Sequence, residues 1–432
     1  MEHTRAPTSP FANAEKCTQC GYCLPVCPTY RVENNELHSP RGRVSIILAL
    51  RNGDLSVEEA ATVLDHCLLC QACHAACPAG VRPGKLALQL RAHHPLPASR
   101  LSHLLHLITN HPRATAQAAR LLRLYRRSGL QRLLRRLRLL RWLPGLDHLE
   151  ALLPAHEPDI PPLPEPTSTA GMTERPRVAL LAGCMARLFF PAVPKAAAHL
   201  LQAWGMQVVV LESFGCCGAP YRESGDRTTL RRQAQRTLDA LHAAAPLQAV
   251  VCDSSICAVT MRSYLRVMSG DPIYEEKARQ LAEKVQTLSQ FLAAHPPPPA
   301  QQNLPFVRLA YHDHCQARQG LGIIMEPRMV LGRLSKGIQE LPRSDSISAD
   351  GCCGAAGEYQ LRYPQRSQQI RDGKLQAIQE GGIELLVGEN PGCLLHLAAG
   401  LQREDAPVMV RHLAEVLYEG YCLSQPIEKV SS

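Results

Sequence analysis

"CTQCGYCLPVCP" (residues 17–28) and "CLLCQACHAACP" (residues 67–78) set out their cysteines in the same order. Both read C-x2-C-x2-C-x3-C-P, giving Cys17, Cys20, Cys23 and Cys27 in the first run and Cys67, Cys70, Cys73 and Cys77 in the second. Three thiolates two residues apart wrap three corners of one metal–sulfur cube, and a fourth behind a proline turn points toward a second cube. Structural zinc, built from two C-x2-C pairs, would leave the third and fourth cysteines of each run without a task.

This is the bacterial two-cluster ferredoxin run. It assigns one [4Fe–4S] cluster to Cys17, Cys20, Cys23 and Cys77, and the other to Cys67, Cys70, Cys73 and Cys27. Between the runs, "VSIILALRNGDLSVEEAATVLDHC" has apolar residues at helical spacing, with Asp54 or Ser56 as the cap of its second helix. A compact β-type ferredoxin needs no such insertion, so the sequence predicts an α-helical ferredoxin domain over residues 1–90.

The totals frame this reading. The chain has 432 residues, a net charge of +9 and 18 cysteines, enough for several domains with separate cores. No run of about 18 apolar residues is present, and "MEHTRAPTSPFANAEKC" lacks the apolar core of a secretory signal. The cysteines are therefore expected to be metal ligands or redox groups in a cytoplasmic protein rather than a disulfide framework. Aromatic residues are 4% of the chain, which argues against base-stacking platforms and a nucleic acid partner.

Residues 91–153 contain no cysteine, and no acid occurs from His66 to Leu146. Nine arginines lie between Arg120 and Arg141, with Leu130, Leu133, Leu134, Leu137 and Leu140 at helical spacing. Such a helix suits an anionic membrane surface or an acidic partner; alternatively its leucines pack on the ferredoxin domain and its arginines are merely solvated. A proline-rich linker follows at 154–176.

Two similar halves complete the chain, 177–294 and 306–423, split by a second linker at 295–305. Each opens with an apolar run ending in cysteine, "VALLAGC" to Cys184 and "FVRLAYHDHC" to Cys315. Each then carries "GCCG", with Cys216–Cys217 and Cys352–Cys353, and a final cysteine, Cys257 or Cys393. The doubled and final cysteines are separated by 39 residues in both halves, as expected if both build the same geometry. Short apolar strands alternating with helices predict two tandem α/β modules with parallel sheets. The flanking glycines are read as letting the backbone approach a bound group without a Cβ clash.

Together, "CTQCGYCLPVCPTY", "SPRGR" (Ser39–Arg43), "CLLCQACHAACPAGV" and two CCG modules resemble the glycolate oxidase iron–sulfur subunit family. Similar chains serve D-lactate and anaerobic glycerol-3-phosphate dehydrogenases, and the B subunit of heterodisulfide reductase is more distant. The resemblance implies an electron-transfer subunit of an oxidoreductase complex. A partner subunit carrying FAD oxidises glycolate to glyoxylate, and electrons pass toward a quinone-type acceptor on the inner membrane. No dinucleotide fingerprint or phosphate-binding loop is present, so hydride chemistry is not expected on this chain.

The heterodisulfide reductase pattern ends each module in C-x2-C, where this chain has Ser254 and Asn390 at the first position. That weakens a thiol–disulfide reductase reading. It leaves a regular cluster, a zinc or an empty pocket for Cys184, Cys216, Cys217 and Cys257, and likewise for Cys315, Cys352, Cys353 and Cys393. His314, in "HDHC", stands where relatives more often have a small residue or proline and is read as a hydrogen-bonding partner rather than a spare ligand. Cys252 and Cys422 fall outside the repeat and are expected to be buried thiols.

Overall fold

The computed structural model describes residues 11–97, 99–136, 150, 153, 160, 175–211, 214–299, 304, 308–341, 351–404 and 406–422. Its N-terminal part is helical, and the two halves beyond residue 175 are α/β modules with parallel sheets, as the sequence predicts.

In the helical part, proline opens the helices Pro28–Glu33, Pro40–Asn52 and Pro83–His93, where its missing N–H costs nothing. Ser39 caps Pro40–Asn52 through the Gly42 N–H, and the helix stops at Gly53 in a left-handed conformation. Of the two candidate caps for the next helix, the chain uses Ser56, in a reciprocal capping box with Glu59. Val44, Ile47, Ala60, Leu64, Leu86 and Leu90 form the core that fixes the spacing of the two cysteine runs.

The first module contains β1 (Arg177–Leu181), β2 (Gln207–Val210), β3 (Ala249–Cys252) and β4 (Val285–Thr287), in the order β2-β1-β3-β4, all parallel. The second contains β5 (Leu309–His312), β6 (Ile338–Gln339), β7 (Leu385–Gly388) and β8 (Met409–His412), in the order β6-β5-β7-β8. Helices cover both faces, so the central strands β3, β5 and β7 are buried along their whole length. In each order the chain moves from the first strand to one side and then crosses to the other. The crevice at the carboxyl ends of β1 and β3, and of β5 and β7, is therefore a topological switch point, the usual seat of a site in such sheets.

The modules do not pack as beads on a string. The last helix of the first, Leu288–Ala294, packs on Met325–Gly332 of the second, and Leu413–Cys422 of the second packs on Ala192–Ala203 of the first. One apolar core, including Leu200, Leu201, Phe291, Leu331 and Leu417, runs through both modules. Buried Glu389, just after β7, reaches across to accept hydrogen bonds from the Ser289 N–H and hydroxyl, both at 2.7 Å, and its carbonyl accepts the Ser255 N–H at 2.9 Å.

The ferredoxin-like part seats on both modules. Buried Arg91 donates to the carbonyls of Cys67 (2.7 Å) and Glu223 (2.9 Å). Asp65 receives Arg362 at 2.5 Å and the Tyr363 hydroxyl at 2.8 Å.

In the basic segment the helices Arg100–Asn110 and Pro112–Arg127 bury Ser102, Thr109, Thr115 and Ala119. The Asn110 amide donates to the Tyr221 hydroxyl at 2.6 Å. Leucines point outward: Leu104, Leu107, Leu121, Leu124, Leu130 and Leu133 are all exposed. The alternative in which the leucines pack on the ferredoxin domain does not hold for Leu130 and Leu133, because small and polar side chains make the inward contact. Residues 137–149, with Leu137, Leu140, Arg138 and Arg141, lie outside the described residues, as does nearly all of the proline-rich linker at 154–176.

Candidate metal centres

The two ferredoxin-type loops adopt one backbone conformation. Gln19 and Gly21 in the first, and Leu69 and Gln71 in the second, have positive φ at matching positions between the cysteines. Three of these four are not glycine, so the left-handed turns are held against their steric preference. Alternation of this kind turns successive N–H groups to one side, making a concavity suited to anionic sulfur.

Cys17, Cys20, Cys23 and Cys77, the first assigned set, line one opening, which Cys73 and Arg41 also border. Cys20 is exposed, the other three are half-buried, and Tyr22 beside them is 68% exposed. The second set, Cys27, Cys67, Cys70 and Cys73, is wholly buried. Arg43, itself buried, donates to Cys27 Sγ at 3.7 Å, the Thr29 hydroxyl at 2.8 Å and the His66 carbonyl at 3.2 Å. Burial works against its charge, yet the thiolates of Cys67 and Cys27 hold it above the usual arginine range. Sequence reasoning quoted Arg43 within "SPRGR" but gave it no role.

In the modules, all eight CCG cysteines gather at the two switch points. Cys184 follows β1, Cys216–Cys217 follow β2 and Cys257 follows β3, with Cys184 and Cys216 sulfurs 3.9 Å apart. Asp253 ties the crevice by accepting the Gly183 N–H at 2.7 Å. Every thiol of this set is raised: Cys216, although favoured by Cys184, is pushed up to about 12 by Cys217 and burial, and Cys257, although favoured by Cys217, to about 11. Without a bound cation such a nest of thiols holds its protons.

Cys315, Cys352–Cys353 and Cys393 repeat the arrangement after β5, β6 and β7. Here one thiol differs. Cys353 falls well below the ordinary range, because Cys352 and then Cys393 hydrogen-bond to its thiolate. Buried Lys374 donates to the Gly351 carbonyl at 2.7 Å; Cys393, by contrast with Cys353, is pushed well above the ordinary range by Cys353 and burial, against the Lys374 charge. Cys315 packs with Cys70, Leu68 and Cys352, so this module's site adjoins the buried ferredoxin-type set.

Three of the four glycines of the two GCCG turns are required by the protein's own packing. Gly218 (φ +86°) and Gly354 (φ +90°) need left-handed backbone, and a Cβ would lie 2.9 Å from Leu230 and 2.5 Å from the Ser367 carbonyl oxygen. A Cβ on Gly215 would meet the Asn110 carbonyl oxygen at 2.5 Å. These turns are tight against the protein itself. Ser254 and Asn390 begin the helices Ser255–Arg262 and Pro391–Arg403, and the Asn390 side chain accepts the Gly392 N–H at 3.2 Å. Cys252 is fully buried against Met261, as expected, whereas Cys422 is half-buried.

His314 Nδ1 is buried without a hydrogen-bond partner among the described residues. The histidine facing the cysteines is His312, whose ring stands against Cys353 and Cys393. The signal was its place as the last residue of a buried strand, two positions ahead of the residue that drew attention.

Comparison with known proteins agrees with this layout. A 4Fe-4S dicluster domain model matches residues 13–81, and a cysteine-rich domain model matches 178–262 and 309–398. A model of the glycolate oxidase iron-sulfur subunit linker region matches 103–153. The chain is 32% identical over 421 residues to the "Probable glycolate oxidase iron-sulfur subunit" of Bacillus subtilis (strain 168), covering 93% of each. It is 30% identical over 416 residues to the glycolate oxidase iron-sulfur subunit of Escherichia coli (strain K12), covering 93% of this chain and 92% of that one. Lactate utilization protein A of Bacillus subtilis (strain 168) is 30% identical over 243 residues, 56% of this chain. On motif order, fold and full-length similarity, the chain belongs to the glycolate oxidase iron–sulfur subunit family.

Proposed function

We propose that this chain is the electron-transfer subunit of a multisubunit glycolate oxidase or dehydrogenase, receiving electrons from a partner flavin subunit that oxidises glycolate to glyoxylate. The observation that carries the reading is the pair of matched loops: one cysteine set opens to the surface and the other is buried against the modules. Cys17, Cys20, Cys23 and Cys77 would hold one [4Fe–4S] cluster, and Cys67, Cys70, Cys73 and Cys27 the other. Bound clusters supply one-electron relay.

The chain's own residues prepare that relay. The turns at Gln19–Gly21 and Leu69–Gln71 aim N–H groups at sulfur, and Arg43 offsets negative charge at the buried set. Cys20 and Tyr22 offer the partner its approach. The CCG cysteines form further metal or redox sites, and FAD belongs to the partner.

Among the described residues no helix is long and apolar enough to cross a membrane. Exposed leucines at i, i+3 on the basic helices, near Arg120, Arg123 and Arg127, favour peripheral contact with an anionic membrane surface, where a quinone-type acceptor lies.

The test is anaerobic purification with and without the flavin subunits. Cubane-type EPR signals should appear on adding glycolate only when those subunits are present. Protein that is colourless, iron-free and still competent in its complex overturns the reading. Relatives named for lactate utilization favour lactate as second substrate class; lactate producing the signals where glycolate does not would decide for it.

A further inference from the structure

His312, Cys353 and Cys393 place one ligand atom each within 4.8 Å of one another, and all three are buried. Among the described residues this is the group of histidine, cysteine and acidic side chains compact enough to embrace one ion. Neither nitrogen of the His312 ring meets a hydrogen-bond partner of ordinary geometry there, although the residue is only 2% exposed; its polar neighbour is the Cys353 sulfur. A buried imidazole left facing sulfur in this way is poorly satisfied, and coordination would remove that cost.

Geometry separates a single ion from a cube. With bonds of about 2.3 Å to sulfur and about 2.0 Å to nitrogen, tetrahedral ligands stand roughly 3.5–3.8 Å apart. Thiolates on separate irons of a cube stand farther apart. The trio's ligand atoms all lie within 4.8 Å of one another, nearer the compact spacing, and Cys352, which contacts both Cys353 and Cys315, makes the Cys315–Cys352 pair the neighbouring source of a fourth thiolate. In the first module the position matching His312 is Leu181, so that site lacks the imidazole. We infer that the second module holds one borderline-soft divalent ion, zinc, on His312, Cys353, Cys393 and one thiolate of the Cys315–Cys352 pair, and so differs from the first. The inference rests on the reading of the CCG cysteines as metal sites.

The three cysteines bind as thiolates, those that are protonated releasing their protons to solvent; the imidazole binds neutral, and no electron moves. With its four positions filled by protein, such a site is structural. It would brace the Cys315 loop where that loop packs on Cys70.

The experiment uses the full chain, purified anaerobically, with metal analysis and X-ray absorption at the zinc edge. The expected result is about one zinc and about eight irons per chain, with one nitrogen and three sulfur scatterers on zinc. His312→Leu, which installs the first module's residue, should lose zinc at least about tenfold under chelator challenge while keeping its iron. His312→Cys should keep zinc and lose only the nitrogen scatterer, which holds the test open if the leucine variant folds poorly. Additional iron with no zinc, or zinc retained by His312→Leu with its nitrogen scatterer intact, overturns the proposal. Eight irons without zinc would sink this inference alone; zinc at the trio without iron in the N-terminal loops would sink the electron-transfer reading alone.

Discussion

A single buried guanidinium organises the inner ferredoxin-type set. Arg43 gives hydrogen bonds to Cys27, Thr29 and the His66 carbonyl, and the charges of Cys67, Cys27 and Cys73 all act on it. Adding an electron to a bound cluster makes it more negative, so a nearby cation favours the reduced form. Arg43→Met should therefore lower the potential of the buried cluster, on the order of 50–100 mV, and leave the exposed one nearly unchanged. An EPR-monitored redox titration checks this, and equal shifts in both clusters would contradict it. Glycines give a second contrast at this scale. Gly354→Ala pairs strained backbone with a Cβ 2.5 Å from the Ser367 carbonyl oxygen, whereas at Gly53 (φ +85°) a Cβ meets nothing within 4 Å. Thermal unfolding should show Gly354→Ala several degrees below Gly53→Ala, which carries only the left-handed penalty of about 1–2 kcal/mol.

Elements meet across the module boundary through Glu389. Its carboxyl is pushed up to about 7 by burial, against the hydrogen bonds from Ser289 that favour the charged form. Because the folded value lies above the unfolded one, the group's stabilising contribution is full below about pH 4.5 and is lost as pH rises through 7. Glu389→Gln does not titrate. Between pH 6 and 8 the melting temperature of the natural chain should thus fall relative to the Gln variant, and parallel curves would refute the assignment. Glu389→Ala strands the Ser289 N–H and hydroxyl and should cost roughly 2–4 kcal/mol at about pH 4.5, and less as pH rises through 7. The elements themselves were legible in the sequence: apolar runs marked β1, β3, β5 and β7, and the equal 39-residue intervals marked the repeat. The exchange of terminal helices was not legible, because Leu288–Ala294 and Leu413–Cys422 carry apolar faces that would suit either module. His312 was missed for a related reason. A strand's last side chain points into a crevice or a core according to the crossover of the chain, and local pattern does not fix that.

At the scale of the whole molecule, the proposed function puts chemistry and attachment on different surfaces. Exposed Cys20 and Tyr22 would mark the face where electrons enter, while the leucine-bearing helices 100–136 form a second face. Leu104, Leu107, Leu121 and Leu124 are 57–68% exposed, a heavy apolar load for helices whose described charged side chains are all basic. Water disfavours such a face, whereas an anionic bilayer surface would take the leucines and balance the arginines. The complete chain should cosediment with vesicles rich in anionic lipid and far less with neutral ones. Binding should weaken as salt rises from about 50 to 500 mM, since the Debye length shortens severalfold over that range. Replacing those four leucines by glutamine should reduce binding at least about tenfold at low salt, because each apolar side chain withheld from the bilayer forfeits up to about 1.5–3 kcal/mol. Glycolate-dependent EPR signals in solution should survive the same change, since all four belong to a segment that carries no cysteine. If the quadruple variant bound as tightly as the natural chain, arginine charge alone would account for the attachment. If it bound as tightly and also lost its EPR response, the leucine face would belong to the flavin partner instead.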